Sequence, residues 1–260
     1  MLTGYKSHLA EEVILSNKYN ERAKNAMEHV KAVGQSKFVN ENDANVIITM
    51  GGDGTILKTI HTYYDKLDGK LQDKTFFGFA FGTANFLMND FNWEDVDGIV
   101  SGRIPIYDMH VKTLILNING RKELVVNDVV IGGEDLMSWL HYNVEDEENV
   151  FGSFEGTGLI FSTAVGSTAW NKNNGGVVLP LLSSNISVTG VGTNQPIKEV
   201  IHAQTIKVNF KSRTDCYIWV DGRDRKIGPF KEGDISVEPG PWLSIGFLDE
   251  KYQIKRRQKK

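Results

Sequence analysis

The chain has 260 residues, of which 40% are hydrophobic and 24% charged, and its formal net charge is -4. That composition fits one large or two modest globular domains, and the acidic balance argues against a general nucleic-acid binder. No run of about 18 apolar residues is present to span a bilayer, no Cys/His cluster has metal-site spacing, and the single cysteine, Cys216, excludes an internal disulfide.

The N-terminus, Met1-Leu2-Thr3-Gly4, lacks the apolar stretch of a signal peptide, so a reducing, cytoplasmic setting is expected. Residues 12–15 form a short apolar run read as a first strand. Residues 17–33 follow with helical spacing of Ala23, Ala26, Met27 and Val30, and Gly34 is a plausible stop. Residues 45–50 are a second apolar strand, leading through Gly51-Gly52-Asp53-Gly54-Thr55 into a helix that runs to about Leu67. Residues 75–81 are a third strand. This β-α-β-α-β order predicts a parallel sheet, whose ligands sit at the carboxyl ends of the strands. Asp53 and the loop 82–87 both lie at such ends. A short helix near residues 93–100 closes the α/β part, and a boundary is expected near 103/104. Beyond it, residues 106–117 alternate, and Asn119-Gly120 signals a hairpin. Further strands are expected at 122–132, 138–145, 158–163, 186–190, 205–210, 215–221, 225–228, 234–238 and 242–247, which makes residues 104–250 a β-rich domain. The basic tail, residues 251–260, reads as a solvated end.

Two stretches carry chemistry. In Gly51-Gly52-Asp53-Gly54-Thr55 the glycines allow close approach to main-chain N–H groups, and the helix start adds unpaired donors and a positive partial charge. That is an anion site suited to phosphate. Asp53 is the odd member, because a carboxylate there repels phosphate unless a cation intervenes or it has a proton to take. The second stretch runs from Phe154 to Gly176: a glycine-bracketed apolar strand followed by the hydroxyl-rich turn Ser162-Thr163-Ala164-Val165-Gly166-Ser167-Thr168. Short side chains of this kind suit a polar, flat ligand.

Together these residues resemble the NAD kinase family. The Gly51–Thr55 turn matches its first signature, which diacylglycerol and sphingosine kinases and phosphofructokinases share. Val126-Asn127-Asp128-Val129-Val130 resembles its Asn-Glu motif, residues 162–176 its glycine- and threonine-rich motif, and Trp219-Val220-Asp221-Gly222 a late Asp-Gly turn. The sequence departs from the family at Asp128 (usually Glu), Thr157 (Asp), Ala164 (Pro), Trp170 (Tyr) and the loop Gly82-Thr83-Ala84-Asn85-Phe86. The resemblance implies an α/β domain with a parallel sheet followed by a β-rich domain. It implies a phosphoryl donor (ATP or polyphosphate), Mg²⁺, NAD as acceptor and a homodimer or homotetramer, without membrane or nucleic acid. It gives Asp53 the catalytic role of orienting the ribose hydroxyl, and Gly51, Gly52, Gly54 and Thr55 the phosphate. It gives Asn127, Asp128, Thr157, Thr168, Ala169, Trp170 and Asn173 the dinucleotide, with Asn85 and Phe86 on a loop near the site. The alternatives are a non-catalytic nucleotide-binding relative, or a lipid or small-molecule kinase sharing the first motif.

Overall fold

The structure, a computed structural model, describes residues 9–10, 21–34, 38–39, 43–81, 85–134, 138–222 and 224–249. The expected strand at 12–15, the start of the first helix, residues 82–84 of the loop and the basic tail lie outside these. The chain divides into two units, one comprising Met1–His110 with Leu243–Lys260 and the other Val111–Trp242. The sequence reading placed its boundary near 103/104 and kept residues 243–250 in the second domain.

The first unit holds β1 (Leu9–Ala10), α1 (Glu21–Gly34), β2 (Phe38–Val39), β3 (Val46–Gly51), α2 (Asp53–Lys66), β4 (Thr75–Ala80) and α3 (Trp93–Ser101). Its strands run in the order β4-β3-β1-β2, all parallel. Every residue of β3 is buried, as a parallel strand covered on both faces requires, which explains why its sequence is continuously apolar rather than alternating. Ala23, Ala26 and Val30 of α1 and Val96, Ile99 and Val100 of α3 pack with Ile48, Met50, Phe77 and Phe79. The small alanines let α1 approach the sheet closely. Asn92 caps α3 by accepting the N–H of Glu94, and Gly102 ends it at φ 76.

In the second unit β5 (Tyr107–Ile118), which enters from the first, is followed by β6 (Arg121–Val125), β7 (Asp128–Gly133), β8 (Leu140–Glu145), β9 (Val150–Gly156) and β10 (Gly158–Ser162). A 3-10 turn (Gly166–Thr168), α4 (Trp170–Asn173), β11 (Ile186–Val191), β12 (Lys198–Ile201), β13 (Ile206–Val220) and β14 (Arg225–Phe247) complete the chain. Antiparallel pairing gives the order β12-β11-β10-β7-β13-β14, with β8 on β13 and β9 on β8. Inward residues such as Val129, Ile131, Leu159, Phe161, Val188, Phe210, Ile218 and Val220 form one core. The last residues of β14 belong to the first unit, where Ser244 to Gly246 pair in parallel with Thr75 to Phe77 of β4.

The expected strand at 122–132 is two strands, β6 and β7, broken at Val126 and Asn127. The segments expected at 205–210 and 215–221 are one strand, and the last three are one strand as well. Strands β9 and β12 have no counterpart in the sequence reading. Among the described residues no helix is long and apolar enough to cross a membrane.

Candidate functional site

In the first unit the glycine turn joins β3 to α2. Gly52 is the N-cap of α2, and its carbonyl accepts the N–H groups of Thr55 (2.9 Å) and Ile56 (3.2 Å). Its own N–H donates to Thr55 Oγ1 at 3.3 Å. The three glycines differ in what they do. A Cβ on Gly51 would lie 2.3 Å from Thr55 Oγ1, so internal packing alone demands glycine there. A Cβ on the exposed Gly54 would meet nothing within 4 Å, so the absence of a side chain at Gly54 serves no contact inside the described chain.

Asp53 occupies the first turn of α2, where a negative charge suits the helix dipole. Its carboxylate accepts the N–H of Phe86 at 2.7 Å on one oxygen and that of Leu87 at 2.8 Å on the other. Asp53 therefore ties the segment after β4 to the phosphate-type turn. Phe81, just past β4, donates its N–H to Gly51 O at 2.6 Å. Buried Asn89 pins the far side of the segment, donating to Gly78 O (3.0 Å) and Gly246 O (3.1 Å) and accepting from Leu248 N (2.9 Å). Phe86 and Leu87 are thus tied to Asp53 through main-chain N–H groups rather than side chains.

In the second unit Asn127 and Asp128 lie at the break between β6 and β7. Asp221, in the Asp-Gly turn between β13 and β14, makes that break. Its carboxylate accepts the N–H groups of Val126 (2.8 Å), Asn127 (2.6 Å) and Asp128 (3.1 Å). From the other side Thr163 donates its N–H to Asn127 O (2.9 Å) and its hydroxyl to Val126 O (2.6 Å). A Cβ on Gly166 would stand 2.2 Å from Asn127 O, so the 162–171 turn seats directly on the 126–128 segment. Asp128 is 8% exposed. Burial, and then the negative charge of Asp221, push its carboxyl up to about 7 from the ordinary 3.8.

The 162–176 turn is held by its own polar side chains. Buried Asn171 donates to Ser167 O (3.1 Å) and Val177 O (2.9 Å) and accepts from Ser187 (3.1 Å) and Thr189 (2.6 Å). Ser167 donates to Ala164 O (2.8 Å) and accepts from Leu179 N (3.0 Å). This scaffold presents Thr168, half-buried, with Ala169, Trp170 and Asn173 exposed. Trp170 is 49% exposed, which removes it from the core.

Thr157 stands apart from this group. Ser162 pairs with Asp128 at one end of β10, while Gly158 pairs with Gly132 at the other. Thr157 lies five positions before Ser162, a span of about 17 Å along extended chain. The Thr157 hydroxyl donates to Val191 O at 2.9 Å. A Cβ on Gly156 would meet Thr193 Cγ2 at 2.6 Å. The glycines on either side of Thr157 therefore accommodate the chain's own 191–193 segment, and Thr157 is not gathered with the other candidates. Sequence reasoning took Asp221 as a turn residue only. The Asp-Gly pair was the available signal, but its partners lie more than ninety positions away in sequence, at separations of 93 to 95.

No protein-family profile matches the chain. In sequence it is similar to an NAD kinase of Ruminiclostridium cellulolyticum, 28% identical over 156 residues covering 58% of this chain and 52% of that protein. It is also similar to NAD kinase 1 of Halalkalibacterium halodurans, 32% identical over 155 residues covering 56% of each. The matched region spans about half the length of these relatives. In fold it is similar to an NAD kinase from Archaeoglobus fulgidus in complex with ATP, with a TM-score of 0.69 at 15% identity over 90% of this chain and 93% of that one. A yeast NADH kinase complexed with NADH gives a TM-score of 0.62 at 20% identity over 79% of this chain and 63% of that one. The chain is thus similar to NAD kinases in sequence over rather more than half its length and in fold over most of it.

Proposed function

We propose that this divergent relative of the NAD kinases transfers a phosphoryl group to the 2′-hydroxyl of the adenosine ribose of NAD, yielding NADP. The observation that carries the reading is the first turn of α2, where an anchored carboxylate, Asp53, stands beside Gly54, whose bare face no described residue fills. Phosphoryl transfer asks a protein mainly for positioning and charge neutralisation. The N-terminal end of α2 around Gly54 suits the donor phosphates, and Asp53 orients the acceptor hydroxyl. A carboxylate is a weak base, so it takes the hydroxyl's proton late. Asn127 and Asp128 hold the nucleoside, and Thr168, Ala169, Trp170 and Asn173 line its other side. ATP is the preferred donor, since a solved relative was in complex with it, and polyphosphate is the other candidate. Among the described residues no group of three His, Cys, Asp or Glu is placed to hold a metal ion, and Mg²⁺ would accompany the donor phosphates. A homodimer or homotetramer in the cytoplasm completes the proposal. The relatives do not favour a lipid kinase. The test is incubation of the purified protein with NAD, Mg²⁺ and either ATP or polyphosphate, and detection of NADP by an NADP-specific dehydrogenase. No NADP with either donor would leave a nucleotide-binding relative.

Two expectations follow from the glycines and the tryptophan. Gly54→Ala removes a flexible residue from a helix start without a clash, so stability holds or rises by about 0.5–1 kcal/mol, while turnover falls because the methyl occupies the phosphate's approach. Gly51→Ala, forced against Thr55, destabilises by about 1–3 kcal/mol. Thermal melts beside the kinase assay separate the two, and unchanged turnover in Gly54→Ala would remove Gly54 from the site. Trp170→Ala is expected to weaken NAD binding by about 1–3 kcal/mol, the scale of aromatic–base stacking, with little change in melting temperature because the ring is half exposed. A tryptophan fluorescence titration with NAD reads this directly. An unchanged dissociation constant would make Trp170 a bystander.

A further inference from the structure

We propose that Asp221 is a positioning residue for the dinucleotide-binding pair: it gathers the main-chain N–H groups of residues 126–128 on one carboxylate and thereby sets where the Asn127 and Asp128 side chains stand. The proposal rests on the role given to those two residues above. Three successive N–H groups converging on one point form a nest that favours an anion, and here the chain supplies the anion itself, at 2.8, 2.6 and 3.1 Å. Asp221 returns a fourth bond, from its N–H to Asp128 O at 2.9 Å.

Turn chemistry alone does not account for this carboxylate. Asp221 has φ 52 and Gly222 φ 115, a left-handed corner that Asn would form as well as Asp. What Asn cannot do is accept N–H groups on both side-chain branches. The hairpin is itself fastened to β6: Arg225 donates to Glu123, whose side chain is 3% exposed and also takes Arg121. With the N–H groups of 126–128 on Asp221 and the carbonyls of Val126 and Asn127 on Thr163, the peptide planes are fixed from both sides. Only the side-chain torsions of Asn127 and Asp128 remain to be set. Asp221 is also the one charged group found acting on Asp128 among the described residues. The neighbouring strand position on β10 is Ser162, which carries no charge.

The experiment compares wild type, Asp221→Asn and Asp221→Ala in the full chain. It measures the NAD dissociation constant by calorimetry from pH 5.5 to 8.5, KM and kcat with ATP, and amide hydrogen exchange at residues 126–128. Asp221→Asn keeps the turn and one acceptor but loses the charge and at least one N–H bond. We expect its dissociation constant and KM for NAD to rise about tenfold or more, with kcat within about threefold. Exchange at 126–128 should quicken. The pH midpoint of NAD affinity should move down, since the charge opposing Asp128 ionisation is gone, while the rise in KM at near-constant kcat and the faster exchange report the lost positioning. Should Asp221→Ala fail to fold, Asp221→Asn carries the test. If wild type binds NAD and Asp221→Asn binds it equally well across the pH range above the Asp128 midpoint, Asp221 only closes a hairpin and this proposal alone is overturned. A wild-type protein that binds no NAD overturns the functional reading as well.

Discussion

Asp53→Asn is expected to lower turnover by at least ~10²-fold, on the scale of a lost proton acceptor and orienting charge, while the protein still folds and binds NAD. The structure adds a cost that the sequence does not reveal. Both carboxylate oxygens accept main-chain N–H groups, from Phe86 and Leu87. An asparagine keeps one acceptor and turns its NH₂ toward the other N–H, leaving a partly buried donor without its partner. That mismatch costs about 1–3 kcal/mol, and less where water reaches it. Two effects are therefore superposed, and two measurements part them. Loss of orientation at the reacting hydroxyl lowers kcat. Release of the 85–87 segment lowers the melting temperature and speeds amide exchange at Phe86 and Leu87. A variant with looser 86–87 amides and near-normal kcat would make Asp53 an anchor and remove it from the chemistry.

What could be read from the sequence follows from how local each cause is. Residues 46–50 were legible as a buried parallel strand because burial on both faces leaves an unbroken apolar run. The turn after them was legible because glycine, acid and threonine at a helix start have local reasons to be there. The break at Val126 and Asn127 was not, since Val125 and Val126 continue the apolar run and the break is made by Asp221 from the far end of β13. Strand β9 escaped because Gly152 and Ser153 interrupt any alternation and most of its residues are exposed or half-buried. Edge strand β12 shows three exposed residues in four. Gly156 and Gly158 pointed to a close approach, and the approach is real. What approaches is the 191–193 segment, as Thr193 and Val191 show, rather than a ligand. The return of residues 243–247 to the first unit depends on parallel pairing with β4, for which no nearby turn residue leaves a mark.

Asp128→Asn is expected to stabilise the protein at pH 8 and to change little at pH 4. The ordinary carboxyl value, 3.8, describes the unfolded chain, and burial followed by the Asp221 charge pushes the folded one up to about 7. Between those values the folded state binds more protons than the unfolded one, so stability falls as pH rises through that window. The slope approaches about 1.4 kcal/mol per pH unit, a total of about 4 kcal/mol at most by pH 7 and constant above it. Asparagine has nearly the same shape and no charge, so the difference between variant and wild type should be near zero at pH 4, grow through pH 5 and 6, and level off beyond 7. Urea titrations at four pH values measure it, and the difference reports Asp128 together with its coupling to Asp221, since the groups remote from it titrate alike in both proteins. A flat difference would mean that water or a rearrangement relieves the buried charge. The same residue then makes a separate statement about the ligand. A ribose hydroxyl donates to an ionised carboxylate, so NAD should bind the ionised form and its affinity should rise from pH 6 to pH 8 in wild type. Asp128→Asn, having no proton to lose, should show no such rise. Affinity that falls over the same interval would assign the protonated carboxyl as donor to an acceptor atom of the ligand and reverse the direction of that hydrogen bond.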